Sequence, residues 1–123
     1  MIKEHMYVLA VSDLSRSGAF YRDVLGFEVH EMGDPGWRVF VKDSCRIMAG
    51  ECRDAMPAHD LGDHSYFGYL VVDGVDDYYA RAVAKNAEIV KALRNEEWGM
   101  REFGLRTIDG HRLMLGSRLS QEP

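Results

Sequence analysis

The chain has 123 residues, 46% of them hydrophobic and 28% charged, with a formal net charge of −5 at pH 7. That length holds one compact core but not two, and the acidic balance gives a nucleic-acid role no electrostatic support. No apolar run approaches the roughly 20 residues of a membrane-spanning helix. Cys45 and Cys52 would stand about 20 Å apart along one strand, too far for a disulfide. Two unpaired thiols and no signal-like N-terminus imply a reducing cytoplasm.

His5 to Val11 is rich in β-formers and reads as a strand, with Asp13 or Ser15 placed to cap the helix that follows. Leu14, Ala19, Phe20, Val24 and Leu25 recur at helical spacing, and Gly26 closes the helix in the left-handed conformation. Phe27 to Glu31 is a strand. A turn at Gly33 to Gly36 leads to a strand from Trp37 to Lys42, and a tight turn at Asp43 and Ser44 leads to a fourth strand reaching about Gly50. Residues 53–63 contain Pro57, Gly62 and several charges without periodicity, and read as a linker. The order then repeats. A strand near Tyr66 to Val72 precedes a helix near Val75 to Lys85, with Asn86 where the first half has Gly26. A short strand near Glu88 to Lys91, a loop through Trp98, a strand from Arg101 to Thr107, a turn at Asp109 and Gly110, and a last strand to Gly116 complete it.

The two halves echo each other in sequence as well. Tyr7 to Asp13 (YVLAVSD) matches Phe67 to Asp73 (FGYLVVD), and Arg46 to Gly50 (RIMAG) matches Arg112 to Gly116 (RLMLG). A repeat in so short a chain means that each half supplies one wall of a shared core. The predicted fold is therefore α+β: two βαβββ modules, the first about 1–52 and the second about 64–119, forming a curved mixed sheet around a cleft.

Asp13, Leu14, Ser17, Phe20, Tyr21, Leu25, Gly26 and Phe27, together with Asp109, Gly110 and Leu113 in the second half, form a pattern that resembles the vicinal oxygen chelate superfamily. That group includes glyoxalase I, extradiol dioxygenases, fosfomycin-resistance enzymes and bleomycin-resistance proteins. Ile108 stands where the pattern usually has Pro. The resemblance covers almost the whole chain. It implies the fold and a homodimer, but not an activity, because unrelated functions share such folds.

In the metal-dependent members, His and Glu ligands come from the first and last strand of each half. Carried over by position, the resemblance places these ligands at Met6, Met48, Phe67 (or Tyr66, one step off in register) and Met114. None is a donor for Zn²⁺, Ni²⁺, Mn²⁺ or Fe²⁺, so no metal and no cofactor is expected. His5, Glu51 and His64 stand out of register by odd steps, which turns them to the other face. His30, His59 and His111 read as surface histidines, and thioethers more often fill apolar pockets than bind Cu(I).

What the cleft retains is sulfur and aromatic surface. The expected ligand-binding residues are Met6, Val8, Trp37, Met48, Phe67, Tyr69, Trp98, Arg101, Phe103 and Met114. Glu97, Trp98 and Gly99 before a strand and an Asp-Gly turn resemble metal-free bleomycin-resistance proteins, as does Trp37 after Pro35 and Gly36. Glu102, Arg101, Arg38 and Tyr69 are further groups that would meet in the cleft. The expected function is metal-independent binding of a small aromatic or cationic molecule, antibiotic sequestration included. The alternatives are a glyoxalase-type lyase or dioxygenase with an off-register metal site, and a ligand-sensing or structural subunit.

Overall fold

The computed structural model describes residues 1–61 and 66–119. Strand β1 (Tyr7–Val11) runs into helix α1 (Leu14–Leu25), and β2 (Glu28–Glu31), β3 (Trp37–Lys42) and β4 (Cys45–Glu51) complete the first module. After a 3-10 turn at Ala58–Leu61 the order repeats as β5 (Gly68–Val71), α2 (Val75–Ala84), β6 (Glu88–Asn95), β7 (Met100–Arg106) and β8 (Arg112–Arg118). This is the expected α+β pair of βαβββ modules. Each module builds its own four-stranded mixed sheet, ordered β1-β4-β3-β2 and β5-β8-β7-β6. Among the described residues no helix is long and apolar enough to cross a membrane. Cys45 and Cys52 are free thiols.

Strand β6 runs to Asn95 rather than stopping near Lys91. Its pairing with β7 shifts between Ile89 and Lys91 and again between Lys91 and Arg94. Such irregularities break the period-two pattern by which a strand is read from sequence.

Helix α1 forms where Asp13 Oδ1 accepts from Arg16 N at 3.1 Å, and it ends at Gly26, whose φ of 79° is the left-handed cap. Asn86, at φ 60°, takes the matching place after α2. The last strand of each module then returns to cap that module's helix. Glu51 Oε2 accepts from Leu14 N at 3.1 Å, and Ser117 Oγ accepts from Val75 N at 3.2 Å. A carboxylate at a helix N-terminus is also favoured by the helix dipole.

The helices and the inner faces of both sheets share one core. Leu9, Tyr21, Leu25, Phe40, Ile47 and Ala49 from the first module join Ala82, Phe103, Leu105, Leu113 and Leu115 from the second. Tyr21 is fully buried, stacks on Phe40 at 4.6 Å and meets Phe27 edge-on at 5.6 Å, which gives the aromatic signature residues a packing role.

Polar contacts pin the modules where that core closes. Buried Ser17 donates through Oγ to both carboxylate oxygens of Asp109, at 2.7 and 2.8 Å. Arg81 on α2 reaches the C-terminal end of α1 and donates to Asp23 O at 3.0 Å and Arg22 O at 3.3 Å. Burial pushes the Asp109 carboxyl above its ordinary value, against the lowering by Ser17. The folded state therefore holds the Asp109 proton to higher pH than the unfolded chain, and ionised Asp109 costs stability at neutral pH. Asp109→Asn, which keeps an acceptor for Ser17, is expected to raise the urea midpoint at pH 7. That gain should close as the pH falls to about 4, near the unfolded carboxyl's own value.

Candidate functional site

Strand alternation sends Ile47, Ala49, Leu113 and Leu115 of the sequence repeat into the shared core and turns Met48 and Met114 to the opposite face. In the first sheet Val8, Met48, Val39 and His30 stand in one cross-strand row. The matching row in the second sheet is Tyr69, Met114, Gly104 and Lys91. Met6 precedes β1 in line with Val8, and the two are 39% and 61% exposed. Phe67 instead closes the junction between modules. It is half-buried, donates through its N–H to Arg112 O at 3.0 Å, and meets Tyr7 edge-on at 5.7 Å.

One row further along, each sheet seats an aromatic ring on a glycine. A Cβ at Gly50 would come within 2.9 Å of the Trp37 indole, and a Cβ at Gly116 would overlap the Tyr69 hydroxyl. These are the closing glycines of the RIMAG and RLMLG repeats, so the repeat conserves a ring seat rather than a donor.

The second sheet adds a charged device that the first lacks. Glu102 on β7, paired with Gly116, is only 2% exposed. Its Oε1 accepts from Tyr69 Oη at 2.9 Å and Trp98 Nε1 at 3.0 Å, and its Oε2 accepts from Lys91 Nζ at 2.6 Å. Burial pushes the Glu102 carboxyl up, but the bonds from Lys91, Trp98 and Tyr69 outweigh it and hold the group below its ordinary value. Burial and the bond to Glu102 push the Tyr69 phenol up to about 12, so it stays a donor. Lys91 also lies 3.6 Å from Glu96 and sits over the Trp98 ring, 5.2 Å from its centroid. The indole is thus held by its N–H and by a cation on one face, while the residue remains 59% exposed.

Two expected ligand contacts lie on the wrong side of the sheet. Phe103 is fully buried, pairs with Leu115 in the core and packs edge-on against Tyr79 at 5.1 Å. Arg101 shares its parity and bonds Asp76 Oδ1 on α2 at 2.7 Å. Since β7 alternates from Met100, the even residues face outward and Glu102 takes the outward place. Arg38 also misses the expected cluster and bonds the carbonyls of Pro35 and Trp37. Of the grouped polar residues, only Glu102 and Tyr69 meet. Sequence reasoning passed over Lys91, which carries no local signal for its meeting with Glu102, 11 residues away.

The off-register metal candidates also disperse. Glu51 caps α1, and His5 lines a cleft of about 230 Å³ between the modules, with Tyr7, Arg46 and Tyr69. His64 and the His59 side chain lie outside the described residues. His30 bonds Glu28 at 2.9 Å on an exposed edge. Among the described residues no three His, Cys, Asp or Glu side chains come together as a metal site.

Residues 4–115 match the Glyoxalase/Bleomycin resistance protein/Dioxygenase superfamily. The chain belongs to this superfamily. Among solved structures, TioX from Micromonospora sp. ML1 superposes with a TM-score of 0.78 at 21% identity, over 95% of this chain and 99% of that one. FosX, a genomically encoded fosfomycin resistance protein from Listeria monocytogenes, superposes at 0.73 with 18% identity, over 100% and 97%. A protein of unknown function from Agrobacterium tumefaciens str. C58 superposes at 0.74 with 25% identity, over 97% and 96%. No curated protein matches the sequence significantly. Met6, Met48, Phe67 and Met114, the positions to which the sequence resemblance pointed for metal ligands, carry thioethers and a phenyl ring. Those side chains do not fit a divalent metal.

Glu102→Gln keeps the shape of the buried group and removes its charge. The expected loss is about 2 kcal/mol of stability at pH 7, with a red-shifted and more mobile indole in tryptophan fluorescence. Because the folded carboxyl lies below its unfolded value, its contribution is present above about pH 4.3 and lost as the pH falls through the folded value. Urea midpoints of wild type and variant should therefore converge as the pH is lowered below that folded value.

Proposed function

We propose that the protein binds a small, partly aromatic molecule without a metal, on the outward face of its second module. The observation that carries this reading is Trp98, an exposed indole whose orientation is fixed by a buried carboxylate. An exposed ring that stays in one orientation offers a flat surface with little entropy left to lose on binding. Tyr69 stands beside it on the same carboxylate, and Met114 lies next to Tyr69 across the ladder. A thioether adapts to flat ligands of different outline. Sequestration of an antibiotic is one use of such a surface, and the likeness in fold to a fosfomycin resistance protein supports testing it.

The active form is a homodimer on this reading. β1 and β5 are edge strands of their sheets and carry exposed Val8 and Val71, 61% and 56% accessible. Apolar side chains along free strand edges suit a second copy of the same chain, whose matching edges are equally uncovered. The two unpaired thiols suit a reducing cytoplasm.

A thermal-shift panel of aromatic and glycopeptide antibiotics tests the binding reading, because a ligand that binds only the native state raises the melting temperature. Trp98→Ala should weaken any ligand so identified by about tenfold, on the order of 1.4 kcal/mol, and should lower the unfolding midpoint modestly, because Glu102 loses one of its three donors. Elemental analysis of the purified protein is expected to show no stoichiometric Zn, Ni, Mn or Fe. A full equivalent of one of them would overturn the metal-free reading, and light scattering at the mass of one chain would overturn the dimer.

A further inference from the structure

The outward face of the second module carries a basic pair that the fold matches with a single carboxylate. Arg106 and Arg112 stand directly opposite each other on β7 and β8, on the same side as Glu102 and Met114. Like charges in directly opposed strand positions repel. Arg106 has one partner, Glu88, with Nη1 3.2 Å from Oε2. Arg112 has no carboxylate partner among the described residues; its guanidinium lies over the Tyr66 ring at 5.7 Å. In both arginines Nε is buried and has no hydrogen-bond partner. A buried, unpaired donor on a charged group costs more than the same donor in water. Two of them, opposed across one ladder, need something besides packing to account for them.

The rest of the face says what fits there. Lys91 is already matched by Glu102 and Glu96, so its charge is spent within the protein. Arg118, outward on β8 and exposed, also has no carboxylate partner among the described residues. The uncompensated charge of this face is therefore positive, although the whole chain is acidic. Lys91 over one face of Trp98 further disfavours a second cation on the other. Four residues of β7 separate the Glu102 row from the Arg106 row, about 13 Å along an extended strand.

We propose that Arg112, with Arg106 across the ladder, binds an oxyanionic group, carboxylate or phosphate, carried by the aromatic ligand whose ring rests at Trp98 and Tyr69. This specifies the ligand class for the platform proposed above and rests on it: a flat molecule with an anionic end, where the sequence reading named an aromatic or cationic one. A guanidinium offers a forked pair of hydrogen bonds, which suits a planar oxyanion better than a lysine would.

Three matched probes, whose three- or four-carbon chains let the end group reach the arginine row while the ring rests at Trp98, test this through quenching of tryptophan fluorescence: 4-(2-naphthyl)butanoate, the neutral 4-(2-naphthyl)butanamide and the cationic 4-(2-naphthyl)butylammonium. The wild type should bind the acid about tenfold more tightly than the amide, the size of one charge-assisted hydrogen-bonded contact, and the ammonium least. Arg112→Met should abolish the preference for the acid and leave the amide unchanged, and Arg106→Gln should reduce that preference. Trp98→Ala, read by titration calorimetry because the reporting indole is gone, should weaken acid and amide alike. Without ligand, Arg112→Met should melt higher than wild type, on the order of 3 °C, because the unpaired donor is gone. Equal affinity for acid and amide, preference for the ammonium, or an acid preference that survives in both arginine variants would overturn the anion site and leave the platform standing. Quenching by none of the three would overturn the platform instead. Inorganic phosphate alone then judges the arginines: it should raise the melting temperature of wild type and not of Arg112→Met, and equal shifts in the two would overturn the site.

Discussion

Strand alternation around a single buried layer constrains everything else in this molecule. Ile47 and Ala49 on β4 and Leu113 and Leu115 on β8 are fully buried, as are Phe103 and Leu105 on β7. Burying a Leu, Ile or Phe side chain is worth about 1.5–3 kcal/mol, so one sheet edge alone outweighs any single polar contact on the opposite face. A slip of one residue would exchange Met114 for Leu115 and Glu102 for Phe103, turning a charge into the core and the core into water. The outward residues are therefore placed by what lies beneath them. Their chemistry can change without moving them, provided the inward residues stay.

The two modules have used that freedom differently. Both keep a glycine under an aromatic ring, Trp37 over Gly50 and Tyr69 over Gly116. In the first module the neighbouring row is Val8, Met48 and Val39, with no charge until the edge at His30. In the second, the place facing Gly116 is taken by Glu102 and the edge by Lys91, and the pair draws in Trp98 and Tyr69. A buried carboxylate is tolerable only when its acceptors are filled. Three donors fill these, and the consequence is that two aromatic side chains lose their freedom. One module has become a plain apolar wall, and the other an oriented surface.

Most of the fold was legible in the sequence because its signals are local or repeated. Asp13, Gly26 and Asn86 mark helix ends by backbone chemistry that needs no tertiary context, and the RIMAG and RLMLG echo fixes two equivalent strands. The bulged strand β6 was legible only in part, since its shifts in register hide the alternation. The site was harder to read. In Met100 to Leu105 the apolar residues fall on both parities, so the sequence does not say whether Phe103 or Glu102 faces the core. Reading an aromatic residue as a ligand contact favoured Phe103, and the packing of α2 decides for the core through Tyr79. The Glu102 network also depends on side chains that come from β5, β6 and the turn before β7. Nothing in their spacing announces that they meet.

The apolar side chains at Met6, Met48, Phe67 and Met114 and the Glu102 network belong to one account. A metal in such a fold needs carboxylate and imidazole groups left unpaired by protein, so that they remain free to coordinate. Glu102 is the reverse case: a carboxylate one row from Met114, every oxygen of which is bonded to the chain's own donors. Its charge is consumed in holding side chains still rather than in holding an ion. With thioether in the neighbouring row, the surface between Tyr69 and Lys91 is soft and polarizable, while its borders are rigid. Recognition on such a face has to come from shape, stacking and the charge left over at its margin. That leftover charge lies on Arg112, where the ladder sets two guanidinium groups against each other and packing alone gives no reason to keep them.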